Sequence, residues 1–156
     1  MFTSIKVIYA LITVVKMLFH PFEISLRISD EDSYQQLPFE TTQAKIIYAQ
    51  LEAKGASYFV LHYREIFKDA RFDFKNDHVL LNVGNNLLAE KKADLAIALY
   101  IVYTKEFPNI LVARNDLGDA YLLKGEKAKA KECYRKALEL SPGNERAQRM
   151  PAKLEQ

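Results

Sequence analysis

Several pairs of identical residues in the second half of this chain stand 34 positions apart. They include Gly84 and Gly118, Ala96 and Ala130, Tyr100 and Tyr134, and Pro108 and Pro142. A period of this length is typical of repeats built from two antiparallel helices. One helical hairpin cannot bury its apolar faces alone, so neighbouring hairpins must stack. The sequence therefore predicts an all-α fold, a short superhelix of stacked helical hairpins.

Helical spacing of apolar residues divides the second part of the chain into a series of hairpins. The predicted helical domain spans residues 41–156. It comprises a divergent hairpin at 43–76, two clearer repeats at 77–110 and 111–144, and a capping helix at 145–156.

Several residues mark where the predicted helices begin and end. Thr41 or Thr42 can cap the first helix and Gly55 can end it, while Asp77 is placed to cap the first helix of the second hairpin. A last helix is expected after Asn144. Pro151 should end or bend that helix, because proline lacks an amide donor and clashes with the preceding turn.

Residues 1–40 form an apolar segment followed by a polar linker. The run at residues 5–19 is short for a membrane span and is interrupted by Lys16, and no small-residue cleavage site precedes His20. It suits a strand as well as a short helix. We expect it to pack on the helical domain or on a partner, with membrane association as the alternative. A cytoplasmic location is expected, and a membrane-associated or cell-envelope location is the alternative.

The repeated residues suggest how each hairpin closes. Gly84 and Gly118 allow two helices to approach closely, and Ala96 and Ala130 are the small residues expected to face them. The two repeated tyrosines are expected to fill the space between one hairpin and the next. These aromatic side chains therefore belong to a core rather than to a cofactor site.

The third hairpin closely resembles a tetratricopeptide repeat. The residues that carry the resemblance are Leu117, Gly118, Tyr121, Gly125, Ala130, Tyr134, Ala137 and Pro142. The second hairpin matches less fully, with Lys91 where a turn glycine is usual, and the first matches only faintly. The resemblance implies a non-catalytic scaffold that binds a protein or a peptide.

A second resemblance is to the helical tail that follows the catalytic domain in some bacterial serine hydrolases of the beta-lactamase-related family. The segments that carry it are LFHPFEI at 18–24, LNVG at 81–84, EFPN at 106–109, NDLGDAY at 115–121 and LELSP at 138–142. It implies an alternative function, in which the chain is an accessory fragment that packs on or positions a catalytic domain. The chain contains neither a Ser-x-x-Lys nor a Gly-x-Ser-x-Gly motif, so no catalytic residue is carried over and no enzyme is expected.

Other ligand chemistries find little support in the sequence. His62 and Glu65 lie three residues apart on a predicted helix, but one such pair is not a metal site, and no cofactor is expected. Cys133 is the only cysteine and is expected to be a packed side chain. The net charge of +2 provides no field for nucleic acid, and we interpret the basic excess near the C-terminus as a solvated helix surface.

The resemblance to tetratricopeptide repeats implies a ligand face on the first helix of each hairpin. The residues placed there are His78, Asn82, Asn85, Asn86, Asn115, Asp116, Asp119 and Leu122. Amide and carboxylate groups can pair with the backbone of an extended peptide. The alternative is that they are simply polar residues on a hydrated helix. Leu81, Asn85 and Asp119 lack the positive charge that would hold a C-terminal carboxylate.

Overall fold

The computed structural model describes residue 39 and residues 41–153, with side chains described as far as residue 150. The apolar segment predicted at residues 5–19 and most of the linker lie outside this part, so the division at residue 40 stays a prediction. The described part contains seven helices and no strand. We label them α1 (Thr42–Lys54), α2 (Ala56–Asp69), α3 (His78–Ala89), α4 (Ala93–Glu106), α5 (Leu111–Leu123), α6 (Lys127–Leu140) and α7 (Glu145–Lys153).

The helices pack as consecutive hairpins. Helix α1 contacts α2, α3 contacts α4, and α5 contacts α6, while α7 packs on α6. The first helices of the hairpins also contact one another, α1 against α3 and α3 against α5, and α4 contacts α5. This arrangement confirms the predicted all-α superhelix of stacked hairpins.

Three helices end in the same hydrogen-bonded turn. After α3, the amide of Lys91 donates to Leu88 O at 3.0 Å and the amide of Lys92 donates to Leu87 O at 2.8 Å. The same pattern follows α5 at Gly125 and α2 at Arg71. This turn requires a residue in the left-handed region, where glycine fits without strain. Gly125 has φ 83°, whereas Lys91 adopts φ 58° with a side chain attached.

The two repeated glycines are covered by the two repeated tyrosines. A Cβ atom built on Gly84 would lie 2.8 Å from Cε1 of Tyr100, and one on Gly118 would lie 2.7 Å from Cε1 of Tyr134. Both separations are too short for real carbon contacts, so glycine is required. The atoms nearest to these Cβ positions belong to the aromatic rings, and the expected facing of the glycines by Ala96 and Ala130 stays a prediction.

The predicted helix boundaries are mostly confirmed. Thr41 Oγ1 accepts from the amide of Ala44 at 3.1 Å, and Gly55 ends α1 with φ 83°. Asp77 precedes α3 as predicted, but its side chain makes no cap bond; instead its Oδ2 accepts from the hydroxyl of Tyr103 at 2.8 Å. The expectation for Pro151 as an end point was wrong, since α7 continues to Lys153.

A continuous apolar core runs through α1 to α5, and a smaller one joins α6 to α7. The buried side chains of α1 are Ala44, Ile47 and Leu51, at steps of three and four. Those of α3 that share this spacing are Leu80, Val83 and Leu87. Tyr48, one residue after Ile47, thus stands where α3 has its close-packed glycine. The first hairpin therefore lacks a glycine at this position of its first helix.

Candidate ligand-binding face

The eight residues predicted to form the ligand face lie on two helices that pack against each other. Helix α3 carries His78, Asn82, Asn85 and Asn86, and helix α5 carries Asn115, Asp116, Asp119 and Leu122. Contact between α3 and α5 brings the two sets to neighbouring positions on the first helices of consecutive hairpins. The eight side chains differ greatly in solvent exposure, so the buried and the accessible ones are described separately.

Four of these side chains are enclosed by the fold. Asn82, Asn86, Asn115 and Asp116 are all more than nine-tenths buried. The side-chain amide of Asn86 donates to Asn82 O at 2.9 Å, so it stabilises its own helix. The side-chain amide of Asn115 reaches Asn144 Oδ1 at 3.4 Å. In this conformation these groups serve packing, and their role as ligand contacts stays a prediction.

Asn85 and His78 remain accessible on α3. His78 is exposed at the start of the helix, and Asn85 is half-buried two turns later. Asn85 Oδ1 accepts from the hydroxyl of Tyr100 at 3.3 Å. Because this bond fixes the oxygen, the orientation of the side-chain amide is set, and its Nδ2 makes no hydrogen bond to another described residue. Leu122 on α5 is half-buried against the α6–α7 cluster.

Asp119 stands one repeat period after Asn85, but both of its oxygens are engaged. Oδ1 accepts from the hydroxyl of Tyr134, and Oδ2 forms an ion pair with Arg146 on α7. The second guanidinium nitrogen of Arg146 pairs with Asp116 Oδ1 at 2.8 Å. Burial, reinforced by the charge of Asp119, raises the pKa of Tyr134 above its ordinary value. Tyr134 therefore stays protonated and donates.

Arg146 was missed by the sequence analysis. It belongs to the basic excess near the C-terminus, which was interpreted as a solvated surface, yet its side chain is only 19% exposed. The sequence feature that could have found it was its position two residues after Asn144, which caps the start of α7. Its two acidic partners lie on α5, two helices earlier in the chain. That placement needs knowledge of which helix packs over which, and the periodicity alone does not give it.

A second polar cluster joins the first hairpin to the second. Lys92 donates to Tyr48, whose hydroxyl is 2.7 Å away, and pairs with Glu52 and Glu90. Hydrogen bonds to Glu52, Glu90 and Tyr48 raise the pKa of Lys92, so the ammonium stays charged. The cluster ties α1 to the turn between α3 and α4, and we interpret it as structural.

Among the described residues no group of three or more His, Cys, Asp or Glu side chains could hold a metal ion. His62 stacks on Tyr58 with ring centroids 4.0 Å apart, and its Nδ1 lies 3.0 Å from Tyr58 O. Cys133 is buried, which raises the pKa of its thiol to about 11. In the described part of the chain, no helix has the length and apolar character required to span a membrane.

A comparison with models of protein families gives a match in the third hairpin. Residues 112–144 match the tetratricopeptide repeat family. This hairpin is similar to a tetratricopeptide repeat. No curated protein matches the chain. The match covers α6 and nearly all of α5, and α3–α4 repeats the same glycine–tyrosine contact and the same turn one period earlier. The match and the all-helical fold together support a tetratricopeptide-repeat protein, and such repeats generally serve protein interaction.

Proposed function

We propose that this chain is a non-catalytic scaffold that holds a peptide segment of a partner protein along α3 and the adjoining part of α5. The observation that supports it is Asn85, a half-buried amide whose oxygen is fixed by Tyr100 while its Nδ2 is available. An oriented amide of this kind can donate to a backbone carbonyl of a bound peptide. The tetratricopeptide match supports the general class of function.

The neighbours of Asn85 suit an extended ligand. His78, Leu81 and Asn85 follow one another at steps of three and four, so they lie on the same face of α3. Seven residues of helix span roughly 10 Å, the length of about three residues of an extended peptide. His78 is exposed, and Leu81 is half-buried beside it. This face combines one apolar contact with polar groups at both ends.

Peptides selected against the full chain from a random display library test the proposal. Asn85→Ala should reduce the binding free energy of a selected peptide by about 1–3 kcal/mol, the range for a polar group left without its partner. Titration calorimetry with a synthetic peptide measures the loss. Because Asn85 bonds to Tyr100 at 3.3 Å, a thermal melt must accompany the titration to show that the variant is folded.

Arg135→Ala is the control for that experiment. Arg135 is exposed on α6 and pairs with the exposed Glu139 one turn away, so its removal should change neither stability nor binding appreciably. If Asn85→Ala binds as the unaltered chain does while Arg135→Ala binds more weakly, the ligand face lies on the second helices and the proposal is wrong.

The finer expectations remain proposals of the same kind. We propose that no nucleic acid is bound, that the chain acts in the cytoplasm, and that residues 5–19 are covered by protein rather than by lipid. The resemblance to the tail of a serine hydrolase gains no support from the comparisons with known proteins. No contact among the described residues favours that alternative.

A further inference from the structure

Helix α7 places one side chain on the α5 part of the candidate ligand face. Its Arg146 extends to α5, where the guanidinium pairs with Asp116 Oδ1 at 2.8 Å and with Asp119 Oδ2. Asp119 Oδ1 in turn accepts from the hydroxyl of Tyr134, so both oxygens of Asp119 are engaged. The outcome is a guanidinium seated between two carboxylates on the first helix of the third hairpin.

The second and third hairpins therefore differ at equivalent positions of the ligand face. The position of Asn85 is accessible, and that of Asp119 is occupied by Arg146. Among the described residues, Asn85 on α3 accepts from the Tyr100 hydroxyl, whereas Asp119 on α5, one period later, is paired with Arg146. The side chains of Arg146, Asp116 and Asp119 are 19%, 2% and 16% exposed, so solvent screens this ion pair only weakly. Any ligand that extends from α3 onto α5 must displace Arg146 or stop before it.

Apolar and hydrogen-bonded contacts also attach α7. Ala147 is buried, Met150 packs on the α6 cluster, and Asn144 Oδ1 accepts from the amide of Ala147 at 2.7 Å. The nine residues of this helix that the structure describes are too few to persist as a helix alone in water. Loss of the ion pair should therefore weaken the attachment of α7.

We propose that α7 is a built-in competitor of the ligand, and that an arginine side chain of the bound peptide replaces Arg146 between Asp116 and Asp119. This inference rests on the proposed function, since it names the chemistry of the ligand at the α5 end of the same face. Arginine is the residue that fits, because its planar guanidinium can bond to two carboxylates at once. If α7 is closed in about 90–99% of molecules, it lowers the affinity for such a ligand roughly 10- to 100-fold.

Chemical rescue tests the site without any partner. Arg146→Ala should melt at a lower temperature than the unaltered chain, and millimolar methylguanidinium should restore a large part of the lost melting temperature. Methylammonium, which carries the same charge without the planar fork, should restore much less. A triple variant that adds Asp116→Asn and Asp119→Asn should show no rescue. Equal effects of the two cations, or rescue of the triple variant, would overturn the proposal.

Hydrogen exchange on the unaltered chain tests displacement directly and does not depend on how well Arg146→Ala folds. N-acetyl-arginine amide should accelerate exchange of the α7 amides, and N-acetyl-citrulline amide, its uncharged analogue, should not. N-acetyl-arginine amide should also bind to the Arg146→Ala variant on the order of tenfold more tightly than to the unaltered chain. Unchanged α7 exchange and unchanged affinity mean that α7 is a structural cap only. Neither readout involves Asn85, so failure here is distinguishable from failure of the proposed function.

Discussion

The second and third hairpins share one construction but differ in their surroundings. Both place a tyrosine ring over a glycine, and both turn from the first helix to the second through a residue with positive φ. Helix α4 is buried at seven positions because hairpins lie on both sides of it, whereas α6 is buried at only four. The residues that the two hairpins share are therefore those that close a hairpin. The residues that differ reflect whether a hairpin packs between two neighbours or lies at the end of the stack.

The largest expected effect concerns the glycine–tyrosine contact. Gly84→Leu and Gly118→Leu should each destabilise the fold by about 1–3 kcal/mol, because the added side chain must displace a buried ring. Gly84→Leu should lie at the upper end, since α4, which carries Tyr100, has hairpins on both sides and more buried positions than α6. Urea unfolding followed by circular dichroism measures both. A larger loss for Gly118→Leu would break the comparison between an enclosed and a terminal hairpin.

Removal of the tyrosine hydroxyls should destabilise the third hairpin more than the second. This order is the opposite of that expected for the glycine variants. Tyr134→Phe removes the hydrogen bond that Asp119 Oδ1 accepts and should cost about 1.5–3 kcal/mol, the range for hydrogen bonds to charged groups. Tyr100→Phe breaks a longer, neutral bond to Asn85 and should cost about 1 kcal/mol or less. Unfolding free energies of the two variants provide the measurement. Equal losses would show that the charge of Asp119 contributes nothing here.

The turns offer a stabilising change. Lys91→Gly should raise the free energy of unfolding by up to about 1 kcal/mol, because the backbone at φ 58° suits glycine better than a residue with a Cβ atom. Gly125→Lys is the matched reverse change in the third hairpin and should lower it by a similar amount. Thermal melts of both variants check the sign. A loss of stability in Lys91→Gly would mean that the flexibility of glycine in the unfolded chain dominates.

The smallest expected effect is on the chemistry of Cys133, which stands one period after Leu99. Burial raises the pKa of its thiol to about 11, so the reactive thiolate is scarce at neutral pH. Iodoacetamide should modify the folded chain much more slowly than the urea-unfolded chain, and the two rates should approach each other as the pH rises towards 11. Fast modification of the folded chain at neutral pH would show that the third hairpin opens frequently.

Much of the fold is readable from the sequence, since the period of 34 residues, the spacing of apolar residues and caps such as Thr41 depend on local or periodic signals. The candidate site is less readable. The sequence could place Asn85 and Asp119 on equivalent turns, but it could not show that Arg146 would pair with Asp119. Side-chain pairing between helices depends on packing distances that a periodic pattern does not contain.

The most direct test of the account is a nitrogen–proton correlation spectrum of the labelled chain during titration with a selected peptide. The account predicts that the first and largest changes fall on α3, at the side-chain amide of Asn85 and the backbone around His78. Changes on α5 and α7 should follow only with peptides that contain arginine. Changes confined to the outer faces of α4 and α6, with the Asn85 amide unaffected, would contradict the account.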